Sequence, residues 1–179
     1  NGKTDFAIWL LNKIGKTEDI KVFEESINDN TLSIVFAGSV EFRISANIKF
    51  IKAGRFIEAG WSIKADGSIE AGRFIKAGGS IKAVGSIKAG GSIEAGRFIK
   101  AGVFIEAGGS IKAGEFIEAG WSIKAGEFIE AGESIKAGID CGIFAGLEIK
   151  IPLWSTYAFI RANEKPNNII SGYWDDKGE

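Results

Sequence analysis

The chain has 179 residues, is 45% hydrophobic, and carries 25 Gly, 2 Pro and a net charge of −1. That is a folded, β-rich composition sized for one domain or a rod with small end caps, and it excludes a disordered chain. Near-zero charge supplies no overall field for nucleic acid or an anionic membrane. The lack of any His removes His-based acid–base and nucleophilic catalysis and His-containing zinc sites.

Residues 4–14 read as a short helix. Thr4 serves as N-cap, Asp5 favours the first turn and Gly15 ends it. Phe6, Ile8, Trp9, Leu10, Leu11 and Ile14 are too many apolar residues for a solvated helix, so it is expected to dock on the fold or a partner. Strands follow at 20–23 and 32–36, separated by the turn signal Asn28-Asp29-Asn30. Val35-Phe36-Ala37-Gly38 and Ile44-Ser45-Ala46-Asn47 read as degenerate repeat units, with Asn47 in a corner. The repeating coil is therefore expected to begin near residue 35.

Residues 51–140 carry one phrase, Ile-Lys/Glu-Ala-Gly-x-Ser/Phe, with Ile at every sixth position from 51 to 135, fifteen times in all. Gly in each unit would cost a helix about 1 kcal/mol every time, so the phrase reads as strand and turn. Ile and Ala share one face of the strand and point inward, leaving Lys/Glu and Ser/Phe outside. Gly is expected to turn a corner where φ is positive. Charge decides how many hexads close one coil. Two would stack eight Lys, from Lys52 to Lys136, in one ladder. Three stack Lys52, Glu70, Lys88, Glu106 and Lys124 on one face, and Glu58, Lys76, Glu94, Lys112 and Glu130 on the next. Opposite charges across neighbouring strands help and like charges hurt, so the coil has three hexads, 18 residues. Asp66-Gly67 and Val84-Gly85, where Gly comes one place later, also lie 18 apart on one corner.

This pattern resembles the hexapeptide-repeat proteins, which form triangular, usually left-handed, parallel β-helices. The resemblance covers about two thirds of the chain and implies an all-β, three-sided parallel β-helix. Here Ile precedes Ala, the reverse of that family's usual order, so the left-handed coil is implied by the resemblance alone. Acyltransferases of that family use a His base, and this chain has no His, so the resemblance does not extend to catalysis. The phrase is also similar to Ile-Lys-Ala-Gly repeat proteins of bacteria and phages, a likeness that implies no activity.

After Ile135 the phrase returns eight residues later at Ile143, which places a bulged corner at residues 139–142. Cys141 falls in the Ile column and is expected to be a small buried residue; Asp140 beside it disfavours a reactive thiolate. Residues 147–153, 157–161 and 169–174 read as strands. The organisation expected is an N-terminal helix and strand cap at 1–34, a β-solenoid at 35–150 and a C-terminal β cap at 151–179. A single Cys, no apolar run near 18 residues and no signal peptide suggest a cytoplasmic protein. No P-loop or dinucleotide fingerprint occurs, so no cofactor, metal or small-molecule substrate is expected.

What remains is the outward surface. Phe56 stacks on Phe74, and Phe98 on Phe116, while Trp61 and Trp121 stand at corners. The corner position holds Arg55, Arg73 and Arg97 early, and Glu115, Glu127 and Glu133 late. Residues 51–102 carry nine Lys/Arg against four Asp/Glu, and residues 103–140 three against seven, so the rod is an axial dipole. The sequence thus suggests a non-enzymatic interaction protein, self-associating as an antiparallel homodimer or binding another protein. The alternative is a phage- or plasmid-type inhibitor of a bacterial defence or regulatory complex, its basic half touching nucleic acid.

Overall fold

A three-residue strand cannot stand alone, and each strand of the repeat is held by neighbours 18 residues before and after it. Ile93 lies between Ile75 and Ile111, Glu94 between Lys76 and Lys112, and Ala95 between Ala77 and Ala113, all parallel. The computed structural model describes residues 19–176; the expected helix at 4–14 lies outside the described residues. Those residues form an all-β parallel solenoid of about nine turns, about 18 residues each.

Each turn contributes to three stacks of strands. The first stack has nine strands, from Ile20–Phe23 and Ser39–Phe42 through Ile93–Ala95 to Phe159–Arg161 and Tyr173–Trp174. The second runs from residues 46–48 through Ile63–Ala65, Ile81–Ala83, Ile99–Ala101 and Phe116–Ala119 to Ser134–Lys136. The third runs from residues 51–53 through Ile69–Ala71 and Ile105–Ala107 to Ile143–Phe144 and Ile169–Ser171. One eight-residue strand, Ala46–Ala53, joins the second and third stacks. Strand pairing crosses both expected boundaries: Ile20–Phe23 already pairs with Ser39–Phe42, and Phe159–Arg161 still pairs with Ile129–Ala131.

The core is the Ile and Ala columns. Every repeat Ile from Ile51 to Ile135 is buried, as is every repeat Ala from Ala53 to Ala131. Burying one Ile side chain contributes about 1.5–3 kcal/mol, so this column is the main favourable term.

Glycine has a different role from the one expected. Among the described glycines only Gly146 and Gly172 have positive φ, so the hexad corners are not left-handed. Their glycines are required by close approach instead. A Cβ on Gly90 would collide with the carbonyl oxygen of Gly72 in the coil before, while the Gly90 N–H donates to the Ala71 carbonyl at 3.0 Å.

The irregular ends correct several local expectations. Asn28-Asp29-Asn30 does not separate two strands: it lies inside strand Ile27–Phe36 as a bulge, with Asp29 opposite Ile48 and Ser33 opposite Phe50. Asp29 Oδ1 accepts from the Thr31 N–H at 3.1 Å and the Thr31 hydroxyl at 2.6 Å, which folds the extra residues outward. Ile34, not Val35, takes the Ile column, and Ala46, not Ile44, stands over Ile63. Asn47 is therefore mid-strand, where its Nδ2 donates to Asn28 Oδ1 at 2.7 Å. Cys141 is half-buried and outside the column; Ile143 pairs with Ile123 because the insertion turns at Asp140, whose φ is +60°. Residues 147–153 are not a strand. Pro152, with no N–H, sits in a 3-10 turn at Ile151–Leu153, followed by a one-turn helix at Trp154–Tyr157.

Candidate interaction surface

The outward side chains follow from the coil. In the third stack Lys52 pairs with Glu70 at 3.0 Å and Lys88 with Glu106 at 2.7 Å. In the first stack Lys76 pairs with Glu94 at 4.0 Å and Lys112 with Glu130 at 3.5 Å. From Lys52 to Lys124 and from Glu58 to Arg161 these columns alternate in sign, as the 18-residue coil requires, while Glu41 stands opposite Glu58. The hydrogen bond and charge of Glu106 hold the Lys88 ammonium above the ordinary lysine range.

The second stack breaks the pattern. Asn47, Lys64, Lys82 and Lys100 stand in one column, and only Lys100 is matched, by Glu118 at 2.8 Å. Like charges at strand spacing cost stability when exposed, though solvent screening keeps that cost small.

Ser and Phe share a single position in the hexad, and each solves the stacking differently. Phe stacks on Phe: Phe56 on Phe74 at 4.9 Å, Phe98 on Phe116 at 4.8 Å, Phe128 on Phe159 at 4.5 Å. The hydroxyl of Ser accepts from the backbone N–H of the next coil's Ser: Ser62 from Ser80 at 3.1 Å, Ser92 from Ser110 at 3.2 Å. Phe159 was not foreseen, because the insertion before Ile143 and the loop after it break the 18-residue spacing.

The corner residues fall on three backbone ladders. Arg55, Arg73, Gly91, Gly109 and Glu127 form the ladder leading into the first stack, beside Phe56 and Phe74. Trp61, Gly79, Arg97, Glu115 and Glu133 form the ladder leading out of it, beside Phe98 and Phe116. Trp121 lies apart, on the ladder between the second and third stacks, with Lys49, Gly67, Gly85 and Val103. Eleven of the twelve predicted residues thus frame the first stack, and Trp121 does not.

Their exposure differs. Trp61 is 63% exposed and Trp121 62%, while Phe74 is 37% exposed and Phe56, Phe98 and Phe116 are half-buried by their stacking partners. Arg97 is already paired, its Nε 2.8 Å from Glu115 in the next coil. That hydrogen bond and charge hold the Arg97 guanidinium above its ordinary value. Glu127 accepts from the Ser110 hydroxyl at 2.6 Å. Arg55 and Arg73 have no charged partner among the described residues. A shallow depression of about 500 Å³ opens beside Phe74, between Arg73, Lys76, Ser92 and Glu94, where the Phe column gives way to Ser.

The chain matches no protein-family model, no curated protein and no solved structure. The likeness to hexapeptide-repeat proteins therefore rests on the repeat itself. Among the described residues no three His, Cys, Asp or Glu converge as a metal site would require, and no helix is long and apolar enough to cross a membrane.

Proposed function

We propose that this chain is a non-enzymatic interaction protein, a rigid rod that pairs antiparallel with a second copy through its first stack. In this reading the three stacks are three flat sides of a left-handed prism, and the segments at either end cap it. The observation that carries the pairing is the order of side chains along the first stack and its two flanking ladders. Place a two-fold axis between the coils of Ile93 and Ile111. Lys76 then faces Glu130 of the second copy, Glu94 faces Lys112, Arg73 faces Glu127, and Arg97 faces Glu115. The same axis sets Phe98 against Phe116 and Phe74 against Phe128. Charge and aromatic order are satisfied together, and each contact is made twice.

The third stack alternates in charge too, but has an aromatic stack along one edge only, and the Lys column of the second stack would oppose itself. About this axis eight of the nine strands face a counterpart; at about 4.8 Å each they make a strip about 38 Å long, and at about 15 Å across it buries on the order of 1,100 Å² over two copies. That is the lower edge of a specific interface, so micromolar affinity is expected. Sedimentation velocity across micromolar concentrations should show a monomer–dimer equilibrium that the pair Phe98→Ser and Phe116→Ser shifts to monomer by about tenfold or more. A protein that stays monomeric throughout, or a dimer blind to both substitutions, would refute the pairing.

A second reading is favoured by one observation, the unmatched Lys64 and Lys82 beside Lys100. These support contact with a polyanion, as an inhibitor of a nucleic-acid complex would need. Two free cations neutralise about two phosphates, so binding would be weak and its salt dependence shallow, log K falling by about 1.8 per decade of salt.

A further inference from the structure

Each run of stacked Phe rings beside the first stack has two ends, and all of them but one are covered. Ser39, wholly buried, stands above Phe56, and Tyr173 pairs beneath Phe159. Ser110, also buried, stands above Phe128, and its hydroxyl donates to Glu127 Oε2 at 2.6 Å. On the opposite edge buried Ser80 stands above Phe98, and half-buried Ser134 stands beneath Phe116 with Glu133 at its corner. Phe74 is the exception. Ser92 beneath it is exposed, and the corner beside Ser92 is Gly91, which has no side chain. The stack stops there, and the depression of about 500 Å³ lies where the next ring would be. Its two sides differ in charge. On the corner side Arg73 has no charged partner among the described residues, and neither has Arg55 above it. On the strand side Lys76 is already matched by Glu94 at 4.0 Å. At the back the Ser92 hydroxyl accepts from the Ser110 N–H at 3.2 Å.

We propose that this slot binds a small, flat aromatic molecule carrying one anionic group, an aryl phosphate or an aryl carboxylate. The chain itself states where the ring goes. Phe56 and Phe74 stack with centroids 4.9 Å apart and planes within 2°, and the ligand ring continues that stack over Ser92. Buried Ser110, with Glu127 drawn up to its hydroxyl, closes the level below, so the slot is one ring deep. Charge then sets the orientation. The anion turns to the corner side, where the Arg73 guanidinium is unmatched and its planar fork of donors suits a phosphate or carboxylate. Glu94 on the strand side repels it, so the opposite orientation is disfavoured. In the pairing proposed above Arg73 and Phe74 meet the second copy, so ligand and second copy exclude one another there. The slot itself needs no second copy. Dilute chain leaves it free whether or not copies pair, and failure of the slot is thereby read apart from failure of the pairing.

The test is saturation-transfer NMR on the dilute full chain with phenyl phosphate, with benzyl alcohol as the uncharged ring, and with inorganic phosphate as the ringless competitor. Phenyl phosphate should bind saturably, about two- to fivefold more tightly than benzyl alcohol, the range of an exposed ion pair. Inorganic phosphate should compete only at about tenfold higher concentration, because it lacks the ring that stacks on Phe74. Ser92→Phe fills the slot with the residue the hexad already uses at that position, and should remove binding of both ring probes. Arg73→Gln should lower phenyl phosphate to the affinity of benzyl alcohol and leave the alcohol unchanged, which decides the matter even if Ser92→Phe folds poorly. No saturable binding of phenyl phosphate, binding that survives in a folded Ser92→Phe chain, or a preference for the anion that Arg73→Gln leaves intact would overturn the proposal.

Discussion

An inward isoleucine and an outward lysine in consecutive strands of the coil have unequal roles here. Ile93 is wholly buried between Ile75 and Ile111, whereas Lys88 reaches solvent and forms one exposed ion pair. Truncating a buried Ile typically costs 2–5 kcal/mol because a cavity remains, while an exposed pair contributes about 0–1 kcal/mol. Ile93→Ala should therefore lower the urea midpoint far more than Lys88→Ala; equal shifts would overturn the inward assignment of Ile. Glycine gives a second contrast of the same kind. At Gly90 a methyl group meets the Gly72 carbonyl, which is backbone and has little room to yield. Gly90→Ala should cost about 1–3 kcal/mol, as overpacking does, despite Ala being the better residue in an unstrained chain. Val84→Ala, at an exposed corner, should be close to neutral in the same denaturation series.

At the scale of the strand, stability comes from stacking, and charge tunes it through the columns. Lys88 is protonated more firmly in the fold than in the unfolded chain, because the Glu106 carboxylate accepts its hydrogen bond and attracts its charge. A group with a raised folded pKa stabilises the fold fully below its unfolded value. That stabilisation is lost as pH rises through the folded value. Thermal melts should therefore fall in midpoint above about pH 10.4, the ordinary lysine value, and Lys88→Gln should flatten that part of the profile. Arg97, held up in the same way by Glu115, stays charged throughout and adds nothing to the slope.

The strands from Ile51 to Ile135 were legible because period six, inward Ile and alternating charge all demand one register. So was the stacking of Phe56 on Phe74 and Phe98 on Phe116, which follows from the same 18-residue coil. Elsewhere several registers satisfy a short apolar run equally well. Ile34 and Val35 are adjacent and both suit a core column, and only pairing with Ile51 decides between them. The end of the second stack at Ser134–Lys136 was not legible, since it depends on which distant segment bridges to Ser134.

For the whole molecule, the question is whether two rods lie head to tail or side by side in the same direction. An antiparallel pair about an axis between the coils of Ile93 and Ile111 sets Lys76 against Glu130 of the second copy. A parallel pair sets each of these residues against itself. Within one chain Lys76 already sits between Glu58 and Glu94, and Glu130 between Lys112 and Arg161, so either reversal creates some repulsion inside each rod. Those internal costs persist in the double variant, which makes the comparison clean. Lys76→Glu and Glu130→Lys, taken singly, should each weaken the dimer by about tenfold, because the two-fold axis duplicates every contact. Combined, they should restore most of the lost affinity, since the opposite charges meet again across the axis. The gain on combining should shrink in high salt, as rim charges are screened within about 10 Å at 0.1 M. Sedimentation equilibrium of the four proteins reads all of this directly. Additive weakening in the double variant would rule out the antiparallel axis, and single variants with unchanged affinity would remove the first stack from the interface altogether.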